Sequence, residues 1–198
     1  MKDSLANSKA SQTRYFVELI TRAQEGDEVA FEELYSEYFT QLYRYVLVRV
    51  GSSDEADDIT QLVFVKFYKN LSNWHDQGYS PSAYLYTIAR SVIADYFRTK
   101  ARSGKKIEGS DEILAIIADP SQNLHAGVIS NEEKASLYKA LQQLPENYQE
   151  ALLLRYIENL PSKEIAEIIG KSDVATRKLL SRAVNALAEV MKLQIKEN

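Results

Sequence analysis

The stretch EIAEIIGKSDVATRKLLSRA, residues 164–183, decides the fold of the second half of the chain. Its pattern predicts a short helix, a tight turn and a longer helix, which is the order of a helix-turn-helix. Gly170 lies at the expected turn, where glycine adopts a left-handed conformation without steric cost. Ser172 follows at a position where its hydroxyl can cap the second helix. Residues 162–182 are therefore predicted to contain a helix-turn-helix.

The two sides of this segment differ in polarity. Small or apolar side chains recur at helical spacing and are expected to face inward; these are Ile165, Ala166, Ile169, Thr176, Leu180, Ala183 and Leu187. The other side is basic, which is typical of a helix that enters the major groove of duplex DNA. The candidates for contact with duplex DNA are Lys163, Ser172, Val174, Arg177, Lys178 and Arg182. A plain helical hairpin with a solvated basic face is the alternative interpretation.

Helical periodicity also dominates the first half of the chain. Apolar residues recur every three or four positions from Asp27, a suitable N-cap, to Gly51. A second run starts after Ser52, and a third extends from Leu85 into a basic end. The sequence shows no strand-like alternation bounded by turn residues. We therefore predict an all-α fold.

Changes in composition predict the domain boundaries. Residues 1–13 are polar and are expected to form a disordered tail. Residues 103–129 contain three glycines and a proline and are expected to form a flexible linker, with a possible short helix at 111–118. The prediction is thus two small helical domains, 14–102 and 130–198, joined by that linker.

The helix predicted after Ser52 has polar side chains and one apolar side chain outside its buried stripe. That stripe consists of Ala56, Ile59, Val63, Phe67 and Leu71. The candidates for a protein-binding surface on the other side are Asp54, Asp58, Gln61 and Val65. A solvated face explains polar residues in this pattern equally well, whereas an exposed valine beside them favours a partner surface.

Aromatic side chains precede and enter a basic helix over residues 84–102. This combination suits single-stranded nucleic acid, because bases stack on rings while Lys and Arg follow the phosphates. Tyr96 and Phe97 are expected to be core residues, whereas Trp74 and Tyr84 fit either a core or a base-stacking role. The candidates for single-strand contact are Trp74, His75, Tyr84, Arg90, Ser91, Asp95, Arg98 and Arg102.

Composition restricts the remaining functions. The formal net charge is −4, yet basic residues cluster at 84–106 and 171–182, and a local basic face is what nucleic acid requires. Cysteine is absent, and His75 and His125 lack the spacing of metal ligands. We therefore expect no catalytic residue, no metal site and no cofactor. No apolar run reaches the roughly 18 residues needed to span a bilayer, so a cytoplasmic protein without membrane insertion is expected.

Taken in order, several segments resemble an extracytoplasmic-function (ECF) sigma factor of the sigma-70 superfamily. EADDITQLVFVKFY carries the family's Ala56, Asp58, Gln61 and Phe64 pattern. GDEVAFEELYSEYF, AYLYTIARSVIADYFR and ALQQLPENYQEALLLRYIENLPSKEIAEIIGKS resemble other conserved stretches. The chain differs from the usual pattern at five positions, which are Leu62, Tyr84, Ser91, Thr176 and Leu179.

This resemblance implies a function and partners. The helix with Asp58 and Gln61 would dock on the β′ clamp coiled coil of core RNA polymerase, and the β flap would be a second contact. The segment 74–102 would capture the −10 promoter element as a single strand, and the helix-turn-helix would read the −35 element as duplex. The resemblance also implies an anti-sigma factor as a partner.

Two other classes of function compete with this interpretation. A conventional helix-turn-helix regulator would bind DNA without core polymerase, and a helical interaction module would not bind DNA at all. The basic faces at 84–106 and 171–182 argue against the second class. An enzyme is the least favoured class, because the sequence contains no recognisable triad, metal set or phosphate loop.

Overall fold

The computed structural model describes residues 2–76, 81–101, 113 and 131–197, and these residues contain helices and no strands. The α-helices are α1 (Lys2–Gln24), α2 (Glu28–Val50), α3 (Ser53–Asn70), α4 (Pro81–Ala101), α5 (Asn131–Gln142), α6 (Glu146–Leu152), α7 (Ser162–Ile169) and α8 (Asp173–Glu197). A 3₁₀ turn at Leu71–Asn73 follows α3, and a π-helical segment at Leu153–Ile157 follows α6. The all-α prediction is confirmed.

The first helix begins earlier than the sequence predicts. The polar composition of residues 1–13 predicts a disordered tail, but α1 starts at Lys2. This segment contains no proline or glycine, so nothing in it interrupts a helix. Further along the same helix, Phe16, Leu19 and Ile20 are buried. These buried side chains anchor α1, and a polar segment can then continue the helix towards the N-terminus.

The described residues divide into two compact units. Unit 1 consists of Met1–Tyr43 and Asp57–Gly104. Its core is aromatic and centres on Phe67, which is fully buried. The Phe67 ring lies 6.5 Å from Phe16, 6.2 Å from Phe31 and 5.9 Å from Tyr84, measured between centroids. The predicted stripe of α3 is buried along its length, so the periodicity located this core correctly.

Unit 2 consists of Arg44–Ala56 and Lys105–Asn198. A buried ionic cluster lies inside it. Arg49 donates from Nη2 to Glu146 Oε1 at 2.6 Å, and its Nη1 lies 3.7 Å from Glu150 Oε1. The Tyr45 hydroxyl donates to the same Glu150 oxygen at 3.2 Å. Arg49 and Glu150 are both buried, which is tolerable because each charge faces an opposite one.

Local signals set several helix boundaries as predicted. The Asp27 carboxylate accepts a hydrogen bond from the Ala30 amide at 3.2 Å and so caps α2. Its pKa is lowered, chiefly by the hydrogen bond from Arg22. Gly51, after the end of α2, has a positive φ of 81°. The predicted linker and its possible short helix lie outside the described residues, except Ile113, which is helical and buried.

Candidate nucleic-acid interface

The helix-turn-helix consists of α7, a turn at Gly170 and α8. Gly170 adopts the left-handed conformation with φ 68° and ψ 39°, as the sequence predicts. The Lys171 amide donates to the Ala166 carbonyl at 2.9 Å and closes the turn. The Ser172 hydroxyl accepts from the Ala175 amide at 3.2 Å, which caps α8. The turn therefore directs the start of α8 away from α7 at a defined angle.

The buried side of this motif matches the predicted one. Ile165, Ala166 and Ile169 of α7 are buried, as are Thr176 and Ala183 of α8. Leu180 and Leu187 are half-buried. The Thr176 hydroxyl lacks a hydrogen-bond partner among the residues that the structure describes. It is thus a buried polar group in an apolar layer.

The opposite side of the motif is exposed and basic. Val174 is 57% exposed in the first turn of α8. The other candidates for duplex contact are also exposed, namely Lys163, Ser172, Arg177, Lys178 and Arg182. All of these side chains are accessible to a ligand of unit 2.

Asp173 joins three parts of the motif, a role that the sequence did not indicate. Its Oδ1 atom accepts from the Ser162 hydroxyl at 2.6 Å, at the start of α7. Its Oδ2 atom accepts from Arg177 Nη2 at 2.8 Å, one turn further along α8. One carboxylate thus connects the starts of both helices to the arginine best placed for base contact.

The α3 candidates lie outside the buried stripe. Asp54, Asp58 and Gln61 are exposed, and Val65 is 47% exposed. Gln61 donates from Nε2 to Asp57 Oδ2 at 2.7 Å. The sequence analysis missed how far this surface continues, because Leu62 and Tyr68 are also exposed. Exposed apolar groups beside acids on one helix are typical of a protein-binding surface.

The basic helix α4 presents a mixed surface. Arg90, Ser91, Asp95 and Arg98 are exposed. Asp95 forms ion pairs with Arg98 and with Lys66, whose Nζ lies 3.7 Å from the carboxylate. Asp95 therefore orients basic groups, and its own charge opposes phosphate contact at that point. Arg102 lies outside the described residues.

The aromatic candidates differ in their surroundings. Tyr84 is half-buried against Phe67, and burial raises the pKa of its phenol. Trp74 is half-buried and His75 is exposed. Tyr96 and Phe97, expected in the core, are only half-buried and contact each other with centroids 5.2 Å apart. Lys100 also lies over the Tyr96 ring, 5.0 Å from its centroid, so this pair lies at the edge of the core.

Gln24 is a functional candidate that sequence analysis missed. From α1, its Nε2 donates to the Leu71 carbonyl at 2.7 Å and to the Trp74 carbonyl at 2.9 Å. These two bonds hold the turn that carries Trp74. No periodic pattern reveals them, because they join residues about fifty positions apart.

Two structural tests concern metal ions and membranes. Among the described residues, no group of three or more His, Asp or Glu side chains could hold a metal ion. Within that same part of the chain, none of the helices has the length and apolar character needed to cross a membrane.

Comparison with known proteins agrees with this geometry. The family model for Sigma-70 region 2 matches residues 34–103, and that for Sigma-70, region 4 matches residues 134–187. The ECF RNA polymerase sigma factor BldN of Streptomyces coelicolor is 31% identical over 181 residues, covering 91% of this chain and 67% of that protein. The chain belongs to the ECF sigma factors of the sigma-70 family.

Other relatives of this sigma factor extend the comparison. The RNA polymerase sigma-H factor of Pseudomonas aeruginosa is 27% identical, covering 91% of this chain and 95% of that one. The solved structure of CnrH with the cytosolic domain of CnrY has a TM-score of 0.64 at 20% identity, covering 88% and 96% of the two chains. RpoE of Bartonella quintana, in complex with the anti-sigma factor NepR, has a TM-score of 0.62 at 22% identity, covering 82% and 96%. These structures share the fold.

Family membership decides between the competing functions. The sigma factor binds core RNA polymerase and directs promoter-specific initiation of transcription. A regulator that acts without core polymerase is therefore the wrong interpretation. Sigma factors are not an enzyme family.

Proposed function

We propose that the sigma factor uses three surfaces in promoter recognition, one for polymerase and two for DNA. The observation that carries this proposal is the exposed row on α3, in which Asp54, Asp58, Gln61 and Val65 lie outside a fully buried stripe. Residues 14–102 would form the polymerase-docking and −10 domain, and residues 130–198 the −35 domain. The matches to regions 2 and 4 support this division.

The α3 surface would bind the β′ clamp coiled coil. Acids and an amide there can bind basic and polar groups of a partner helix. Val65 and the neighbouring Leu62 supply apolar area that loses water on docking. The β flap would contact the second domain.

The turn with Trp74 and the exposed side of α4 would capture the −10 element. A half-buried indole can stack on a base while its backbone stays fixed. Arg90 and Arg98 would follow the phosphates of the melted strand, and Ser91 would lie beside it. Displacing a base from the stack costs a few kcal/mol, which such stacking recovers.

The start of α8 would read the −35 element in the major groove. Recognition helices contact base edges chiefly through their first turns, where Ser172, Val174 and Arg177 are exposed. Lys178 and Arg182 lie further along and would bind phosphates, which adds affinity without sequence preference.

The remaining assignments concern partners, chemistry and location. An anti-sigma factor that covers the polymerase-binding surface would control the protein, and two of the similar structures are complexes with CnrY or the anti-sigma factor NepR. We place the sigma factor in the cytoplasm, where it would perform no catalysis itself and polymerase would carry out the chemistry.

Run-off transcription tests the proposal. Core polymerase should initiate at defined start sites only when the full-length sigma factor is added. Replacing Asp58 and Gln61 with Ala should reduce transcription from every promoter, because holoenzyme formation is impaired. Transcription that persists unchanged with this variant, at limiting sigma concentration, would contradict the assignment of α3.

A further inference from the structure

Asp173 occupies a position that no base-contacting role explains by itself. Its two carboxylate oxygens are both engaged, with the Ser162 hydroxyl at 2.6 Å and with Arg177 Nη2 at 2.8 Å. The side chain of Asp173 is 39% exposed and that of Arg177 is 62% exposed. The carboxylate therefore lies beneath the guanidinium rather than at the outer surface.

Ion pairs of this kind contribute little to stability. An exposed i,i+4 pair is screened by water and typically stabilises a helix by only a few tenths of a kcal/mol. The second bond changes its meaning, because Ser162 fixes one oxygen to α7. The other oxygen then presents a fixed acceptor to Arg177, so one edge of the flexible guanidinium is tied to the frame of the motif.

Tying one edge of an arginine leaves its other donors available. A guanidinium has five N–H donors in a rigid fork, and the bond to Asp173 uses one of its terminal nitrogens. The remaining donors can face a guanine, which takes a bidentate contact at O6 and N7. A side chain ordered in advance loses less entropy when it binds.

We propose that Asp173 is a positioning residue for base reading by Arg177. The carboxylate, held by Ser162, sets the direction of the guanidinium at the start of α8. Asp173 thereby determines how strongly one base pair of the upstream promoter element is preferred. This inference rests on the proposed reading of duplex DNA by α8.

The experiment measures transcription by holoenzyme from a library of upstream-element variants. Arg177→Ala should reduce the preference at one base pair roughly 5- to 150-fold. Asp173→Asn, which keeps the size but removes the charge, should reduce preference at that same base pair about two- to fivefold. Ser162→Ala should have a smaller effect at the same position, and Asp173→Glu should retain part of the preference because a carboxylate remains.

Combining the substitutions gives the decisive readout. In an Arg177→Ala background, Asp173→Asn should have no further effect on that base pair, because the group it positions is gone. Glu189→Gln is the matched control, since it removes a carboxylate from an exposed ion pair with Lys192 near the far end of α8. It should leave base preference unchanged.

Two results would overturn the proposal while leaving the reading of duplex DNA by α8 intact. One is an unchanged base preference in Asp173→Asn when Arg177→Ala relaxes it. The other is an effect of Asp173→Asn that persists without Arg177, which would indicate a direct base contact. If Arg177→Ala itself changes no base preference, the proposed orientation of α8 in the groove is wrong, and the role of Asp173 fails with it.

Discussion

Gln24 and Trp74 are joined by a hydrogen bond of 2.9 Å from the side-chain amide of the first to the backbone carbonyl of the second. A second bond from the same nitrogen reaches the Leu71 carbonyl at 2.7 Å. The turn that presents the tryptophan is thus fastened to α1, a helix that lies outside the match to region 2. The position of this indole depends on a residue far away in the sequence.

Replacing Gln24 by Ala should loosen this turn. Two carbonyls lose a protein donor, at a cost of about 1–2 kcal/mol in stability. Promoter opening, followed as permanganate reactivity of thymines, should decrease while binding to core polymerase is retained. Gln41→Ala removes an exposed amide from α2 and serves as the control. Equal behaviour of the two variants would show that the turn does not need this anchor.

Replacing both Asp58 and Gln61 by Ala should weaken binding to core polymerase. The expected loss is roughly 1–3 kcal/mol if both side chains lose contacts that are buried in the complex. A competition assay against another sigma factor measures it, with circular dichroism to verify the fold. The matched control is Glu32→Ala with Gln41→Ala, an exposed acid and amide on α2. Unchanged competition by the α3 variant would remove this surface from the interface.

Trp74 and Tyr84 should respond differently to substitution. Trp74→Ala should lower open-complex formation through lost stacking, worth about 1–3 kcal/mol per base, with little change in stability. Tyr84→Ala should also destabilise the fold, by about 1–3 kcal/mol, because the ring packs on Phe67. Tyr84→Phe keeps the ring and isolates the hydroxyl. Normal thymine reactivity in both alanine variants would place these aromatics outside the DNA interface.

Arg182→Ala should weaken binding to all promoters alike. If this exposed guanidinium binds a phosphate, its loss should lower the slope of log affinity against log salt by about one unit. Holoenzyme binding at several salt concentrations gives the slope, and Arg177→Ala provides the contrast, because its effect should depend on promoter sequence. A change of base preference in Arg182→Ala would contradict the placement of this residue.

Thr176→Val should stabilise unit 2. The threonine hydroxyl is fully buried and has no partner among the described residues, so a methyl group of similar shape should gain about 1 kcal/mol. The corresponding rise in melting temperature is about 4–8 °C for a domain of this size. Thr99→Val is the control, since Thr99 is exposed and its hydroxyl donates to the Asp95 carbonyl at 3.0 Å. A lower melting temperature for Thr176→Val would mean that the hydroxyl has a polar partner.

The sequence predicted those features that depend on local periodicity and on special residues. The stripe through Phe67 and the turn at Gly170 follow from spacing and from glycine's conformational freedom, and both are present. The role of Tyr84 stayed open because an aromatic beside a basic helix suits either core or base contact. The bonds made by Gln24 and Asp173 could not be foreseen. They depend on which distant backbone or side chain reaches hydrogen-bonding distance, and no repeat in the sequence reports that.

The π-helical segment Leu153–Ile157 determines the rotational phase of the helix-turn-helix relative to α6. The Glu158 amide bonds to the Leu153 carbonyl at 3.1 Å, five residues back, where an α-helix would bond four back. Each residue of an α-helix turns the chain by about 100°. Deleting one residue here would restore α spacing and swing Leu160, Pro161 and the helix-turn-helix around the axis of α6. The segment is therefore a spacer measured in angle, and its length sets the compass direction in which α8 is offered to a groove.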